Sequence, residues 1–237
     1  VRLGITLPTF SSDAAAVIRA ARDAEEAGLD GVFVFDHLWP MGSPSRPALS
    51  LYPMLAAVLA GTRRIRVGPL VARIGLLPDE VVLASIVSLG RMADGRLLAG
   101  IGTGDASSAD ENEHLGIPYP SARSRRERLA AVAEALRAAG METWIGAGGP
   151  STNETARRSG ATLNLWGAAP SLVRSHTSDG QVVSWAGPLP KDGSAAEVLG
   201  AVAAAGATWA VWGWPQSLAA VVAAATEAGI GLTQGAM

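Results

Sequence analysis

Two hydrophobic patterns alternate along this chain. Short apolar runs recur at Leu3–Leu7, Gly31–Phe35, Ile65–Val71, Leu97–Ile101, Thr143–Ile145, Thr162–Trp166, Gln181–Trp185 and Trp209–Trp212. They lack the polar alternation of a half-wet strand and predict strands covered on both faces, as in a parallel sheet. Between them lie stretches with helical spacing. Val17, Ala20, Ala21 and Ala24 share one face of a helix that Ser11 or Ser12 can cap; it runs to about Ala27 and stops at Gly28. Further helices are predicted around Tyr52–Gly61, from Pro78 to Met92, over Thr152–Ser159, over Ala195–Ala205 and over Pro215–Ala228. Asp79 and Glu80 suit the positive end of the helix that Pro78 begins. Ser124-x-x-Glu127 resembles a capping box, followed by the stripe Leu129, Val132, Ala133, Leu136 up to Gly140. The acidic segment from Asp105 to Gly116 reads as a lid or short helix, and Pro170–His176 as a short crossover.

Eight strand–helix alternations with no second composition regime predict one domain over 1–237. Parallel pairing and right-handed crossovers follow, and closure into a (β/α)8 TIM barrel. An open doubly wound sheet is the alternative, but no G-x-G-x-x-G stands between the first strand and helix. Pro69 inside the third strand lacks a donor and predicts a distortion near Leu70-Val71.

Composition narrows the classes. Apolar residues make up 49% of the 237 positions and charged residues 17%, so a large core is available. The net charge of −2, without a dense basic block, argues against nucleic acid as a partner. The absence of cysteine excludes disulfides and thiolate chemistry, and His37, His114 and His176 show no metal-ligand spacing. No apolar stretch approaches a membrane span and no signal segment opens the sequence, so a soluble, cytoplasmic protein is expected.

If the barrel forms, its strand ends meet at one mouth, where barrels carry their chemistry. Asp36-His37 then sets a carboxylate beside an imidazole, the side chain best suited to proton transfer near neutral pH. A strand-end histidine bonded to a backbone carbonyl is the structural alternative. In Leu97–Asp105 an apolar run opens into Gly100, Gly102 and Gly104, which let another group approach the backbone, and into Thr103 and Asp105. Gly146-Ala-Gly-Gly-Pro-Ser151 opens a helix whose free N–H groups favour an anion such as phosphate. Most tryptophans suit the core, whereas Trp166 and Trp214 stand where they can flank a planar ligand. Asp110–Glu113 could hold a divalent ion but lacks calcium-loop spacing and reads as a solvated loop, so no metal is expected.

These residues, in this order, resemble the luciferase-like monooxygenase superfamily. The likeness runs through Ala27-Gly-Leu-Asp-Gly-Val-Phe-Val-Phe-Asp-His-Leu38, Ile65-Arg-Val-Gly-Pro-Leu-Val71, Arg91-Met-Ala-Asp-Gly-Arg-Leu-Leu-Ala-Gly-Ile-Gly-Thr-Gly104, Arg125-x-x-Arg128-Leu129 and Trp144-Ile-Gly-Ala-Gly-Gly149. It implies a barrel holding an isoalloxazine-type ring in its mouth, on a cis peptide that matches Leu70-Val71. Gly68-Pro69 and Gly102-Thr-Gly-Asp105, with Asn112-Glu113 beyond, resemble the branch that uses the deazaflavin coenzyme F420. The resemblance implies His37 and Asp105 as catalytic groups, Asp105 replacing a glutamate one methylene longer. It implies Asp36, Leu70, Val71, Thr103, Gly104, Asn112, Gly148, Gly149 and Ser151 at the cofactor. The expected function is hydride transfer between F420 and a small-molecule substrate. The alternatives are an FMN-dependent monooxygenase using oxygen, and a degenerate flavin-binding or structural barrel. Leu77 stands where many relatives have histidine, and the insertion between strands six and seven is shortened. Relatives commonly form dimers, so a homodimer is expected.

Overall fold

The computed structural model describes residues 1–40, 43–214 and 217–233. Its strands are β1 (Arg2–Thr6), β2 (Gly31–Val34), β3 (Arg66–Pro69), β4 (Ala72–Arg73), β5 (Ala99–Gly102), β6 (Thr143–Ala147), β7 (Thr162–Trp166), β8 (Val183–Pro188) and β9 (Trp209–Gly213). They form one sheet in the order β3-β2-β1-β9-β8-β7-β6-β5-β4, and every neighbouring pair in it is parallel. The outer two, β3 and β4, are halves of one barrel strand, broken at Leu70-Val71, whose peptide is cis. Val67 closes the ring: its N–H donates to Arg96 O (3.0 Å) and its carbonyl accepts from the Leu98 N–H (2.9 Å). Nine strand segments therefore make the eight staves of the expected barrel.

Around the barrel run α1 (Ala14–Glu26), α2 (Leu51–Gly61), α3 (Asp79–Met92), α4 (Ala106–His114), α5 (Ala122–Ala138), α6 (Pro150–Ser159), α7 (Pro170–Ser178), α8 (Ala195–Ala204) and α9 (Leu218–Glu227). Two caps differ from expectation. Asp13, not Ser11 or Ser12, caps α1 by accepting from the Ala16 N–H (2.9 Å), while Ser11 Oγ accepts from the Asp13 N–H. The carboxylate lies one residue nearer the first helical turn and takes the role. At α5 the cap is Ser121, whose Oγ accepts from the Ser124 N–H (3.2 Å). Ser124 is already inside the helix, and Glu127 pairs with Arg123 on the surface instead of reaching back (2.9 Å). The start proposed for the last helix, Pro215, lies outside the described residues; Ser217 caps α9. The crossover between β7 and β8 carries only α7, as the shortened insertion implied. Among the described residues no helix is long and apolar enough to cross a membrane.

Aromatic rings fill the barrel's interior. Phe33, Trp144 and Trp209 meet with centroids 5.3 to 5.9 Å apart and are all buried. Glycine on the neighbouring staves makes their room: a Cβ at Gly4 would lie 2.8 Å from Phe33 Cε2, and one at Gly31 2.8 Å from Trp209 Cζ3. A separate, larger apolar layer joins the outside of the strands to the helices, with Leu55, Val58, Ile86, Leu129 and Leu199 fully buried or nearly so.

The glycines of β5 are set by the broken strand. A Cβ at Gly100 would stand 2.2 Å from Pro69 O, and one at Gly102 2.5 Å from Val71 Cγ2. The group that approaches this backbone is the chain's own third stave. Gly100→Ala is expected to cost about 3 kcal/mol, because the obstacle is backbone and cannot rotate away. Gly148→Ala meets nothing within 4 Å and should stay within about 0.5 kcal/mol of the parent. Urea unfolding of the two variants checks the contrast.

Candidate active site

At the C-terminal end of the staves the structure opens into a cavity of about 600 Å³. Nine of the expected residues line it: Asp36, His37, Leu70, Val71, Thr103, Gly104, Asp105, Gly148 and Gly149. Phe10, Phe35 and Trp166 supply an aromatic wall, with Phe10 stacked on Phe35 (5.7 Å) and Trp166 edge-on to Phe35 (6.0 Å). Ser151, in the first turn of α6, is not among the lining residues; Thr152 is. Trp214 is half exposed and also stands outside the lining.

Under the cavity floor Arg73 and Glu111, neither in the expected set, tie Asp36, His37 and Asn112 into one charge network. Arg73, at the end of β4, is 5% exposed. Its Nε donates to Asp36 O (2.8 Å), one terminal nitrogen meets Glu111 Oε2 (2.8 Å), and the other reaches Asn112 Oδ1 (3.4 Å). The Arg73 backbone N–H donates to Asp36 Oδ2 (2.7 Å). Glu111, 1% exposed, also accepts from the Leu38 N–H and sits 3.1 Å from His37 Nδ1. A buried guanidinium is tolerated when its charge is paired: Glu111 pairs it, Nε and one terminal nitrogen are hydrogen-bonded, and the other terminal nitrogen has the ion pair but no hydrogen bond.

Two carboxylates here are tuned in opposite directions. Burial pushes the Asp36 carboxyl up, more than the Arg73 N–H and charge pull it down. Burial also works against Glu111, but hydrogen bonds from His37 and Leu38 and the Arg73 charge hold its carboxyl below the usual range. Glu111 is therefore a carboxylate, which only accepts. His37 Nδ1 must donate to it, which leaves Nε2 as the accepting nitrogen of the neutral ring.

Two expected site residues have different surroundings from those foreseen. Asn112 is buried, holds Arg73 and donates to Pro118 O (3.3 Å); it does not line the main cavity. The segment from Asp110 to Glu113 is not a solvated loop but part of α4, and Glu111 and Asn112 face inward from it. Among the described residues no group of three or more His, Asp or Glu side chains is placed to hold a metal ion. Asp105 caps α4: its Oδ1 accepts from the Ser108 N–H (3.1 Å) and Oγ (3.2 Å).

A family model for luciferase-like monooxygenases matches residues 1–142, more than half of the sequence. The chain belongs to that family. The F420-dependent glucose-6-phosphate dehydrogenase of Beutenbergia cavernae is 36% identical over 107 residues, covering 45% of this chain and 31% of that protein. The enzyme of the same name from Kineococcus radiotolerans is 36% identical over 118 residues, covering 49% and 33%. The chain thus aligns with about a third of the length of these relatives. Among solved structures, an F420-dependent secondary alcohol dehydrogenase superposes with a TM-score of 0.76 at 13% identity, over 96% of this chain and 98% of that one. The coenzyme F420 dependent tetrahydromethanopterin reductase of Methanopyrus kandleri gives 0.72 at 14% identity, over 94% and 97%. At such identities the structural likeness establishes the barrel fold alone.

Removing Glu111 strands Arg73 and the Leu38 N–H, so Glu111→Ala should cost about 3–5 kcal/mol. The pH response separates the two carboxylates. Glu111, depressed in the fold, stabilises above its unfolded pKa and loses that contribution on acidification, so the penalty of Glu111→Gln should shrink below about pH 4. Asp36, raised in the fold, contributes at low pH and loses it as pH rises. Asp36→Asn should therefore gain on the parent as pH rises above about 4. Urea midpoints measured on both sides of about pH 4 read both signs.

Proposed function

We propose that this barrel is an oxidoreductase that moves a hydride between coenzyme F420 and a small organic substrate. The observation that carries the reading is His37, held by Glu111 through Nδ1 with its other nitrogen free at a cavity that also has a wall of bare backbone. The names of the relatives support the deazaflavin over other flavins. The residues present fit such a group. A Cβ at Gly148 or Gly149 would meet nothing within 4 Å, so this backbone leaves open space where α6 begins. Gly149 caps that helix and Pro150 follows, an arrangement whose first-turn amides suit a phosphate. Gly148, Gly149 and Ser151 would hold the phosphate end; Leu70, Val71, Thr103, Gly104 and Asp36 would border the ring.

The bound coenzyme would supply two-electron chemistry at its ring carbon. The chain's own tasks are positioning and proton handling. Nε2 of His37 takes or returns the proton of the substrate oxygen, and Glu111 stabilises the ring when it is charged. Asp105 is proposed as a second acid at the rim, acting in its protonated form through Oδ2, the oxygen that the helix cap does not use.

Titration with F420 and, separately, with FMN tests the cofactor by absorbance and fluorescence. Tight binding of F420 alone supports the reading; reduced FMN consuming oxygen would make it a monooxygenase, and binding of neither would make it a degenerate barrel. With F420 bound, His37→Ala should lower kcat by about 100-fold or more while the coenzyme Kd changes little. Asp105→Asn keeps the cap, since asparagine caps as well as aspartate, and so isolates the acid: kcat should fall with stability unchanged. Asp105→Ala should add a loss of about 1 kcal/mol in unfolding free energy. An unaltered kcat in Asp105→Asn would leave that residue only its helix cap.

A further inference from the structure

A cavity selects by what it offers a substrate once its own groups are paired. The charged side chains lining this one are Asp36, His37, Arg73 and Asp105. Arg73 is the single Lys or Arg among them; Glu111 pairs its charge, Nε and one terminal nitrogen bond Asp36 O and Asn112 Oδ1, and the other terminal nitrogen makes the ion pair without a hydrogen bond. The residues outside the described set include no Lys or Arg. The lining therefore has carboxylates at floor and rim and no spare cation. A phosphate dianion on a substrate needs a guanidinium, an ammonium or a ring of amides, and is repelled by nearby carboxylates. The amides at the start of α6 are already assigned to the coenzyme. What the cavity offers freely is aromatic surface: Phe10 on Phe35, and Trp166 edge-on to Phe35 with half its surface exposed. Phe10 also reaches the His37 ring, at 6.3 Å between centroids, so the aromatic wall and the proton-handling nitrogen share one side of the cavity. Gly213 keeps Trp166 in place, since a Cβ there would stand 2.8 Å from its Cη2.

We propose that the substrate is an uncharged alcohol or carbonyl compound bearing an aromatic or bulky apolar group, and that phosphorylated sugars are excluded. The apolar group rests on Phe10, Phe35 and Trp166, and the oxygen meets Nε2 of His37. This separates the chain from the sugar-phosphate enzymes it resembles in sequence, and it rests on the reading above for the identity of the site.

Saturation-transfer NMR on the purified protein tests it with two probes, 1-phenylethanol and glucose 6-phosphate, each with and without bound F420. The expected result is binding of 1-phenylethanol that glucose 6-phosphate does not displace. Trp166→Ala should weaken alcohol binding at least fivefold and Trp166→Phe should restore most of it, with melting temperatures confirming that both variants fold. Tighter binding of glucose 6-phosphate, no binding of the alcohol, or alcohol binding indifferent to Trp166→Ala would each overturn the proposal. F420 binding is scored separately. Its loss, with alcohol binding and the Trp166 effect intact, would remove the coenzyme assignment and leave the substrate class standing.

Discussion

Arg73 is the constraint on which the working end of this barrel depends. A guanidinium 5% exposed has to be surrounded by acceptors, and they come from two parts of the chain far from it in sequence. Asp36 follows β2; Glu111 and Asn112 belong to α4. Satisfying one buried cation therefore pulls the end of the second stave, the second half of the third and the helix after the fourth into a single unit. The His37 ring is tied into the same unit, because the carboxylate that pairs with Arg73 also takes its Nδ1. Electrostatic necessity here does the work that loops alone do poorly: it fixes the position of a side chain at a strand end.

Steric necessity shapes the other side. The third stave breaks at Leu70-Val71, and the fourth and fifth adapt by carrying glycine wherever Pro69 or Val71 comes close. Val71 contacts both Gly102 and Gly146, so the glycines that suggested a ligand's approach are partly explained by the chain itself. Among the glycines lining the cavity, only Gly148 and Gly149 face open space, and there the backbone remains available to a bound molecule.

Much of this was legible in the sequence. The alternation of apolar runs with helical stripes gave the eight staves, and Pro69 marked the interruption of the third. Trp144, Trp185, Trp209 and Trp212 are buried as expected, and of the two tryptophans set aside for a ligand Trp166 lines the cavity while Trp214 does not. Arg73 and Glu111 escaped notice for physical reasons. Arg73 lies two residues past the apparent end of an apolar strand, where a charge looks like the return to solvent. Glu111 sits between Asp110 and Glu113, in a run that composition alone assigns to water. The usable signal was helical spacing: Ser108, Glu111 and Asn112 occupy i, i+3 and i+4, one face of a helix, and all three are buried. A polar helical face turned inward implies partners, and the nearby unpaired arginine was the partner to seek. Asp105 illustrates the opposite case, since its sequence context suggested chemistry while its Oδ1 is occupied by a helix cap.

The central claim is that Glu111 fixes which nitrogen of His37 carries the proton. Nitrogen-15 NMR of the histidine-labelled protein measures this directly, with the His37 signals identified by their loss in a His37→Asn variant. With the ring neutral, the account predicts a protonated Nδ1 and an unprotonated Nε2 for His37. A protonated Nε2 beside a bare Nδ1 would contradict it.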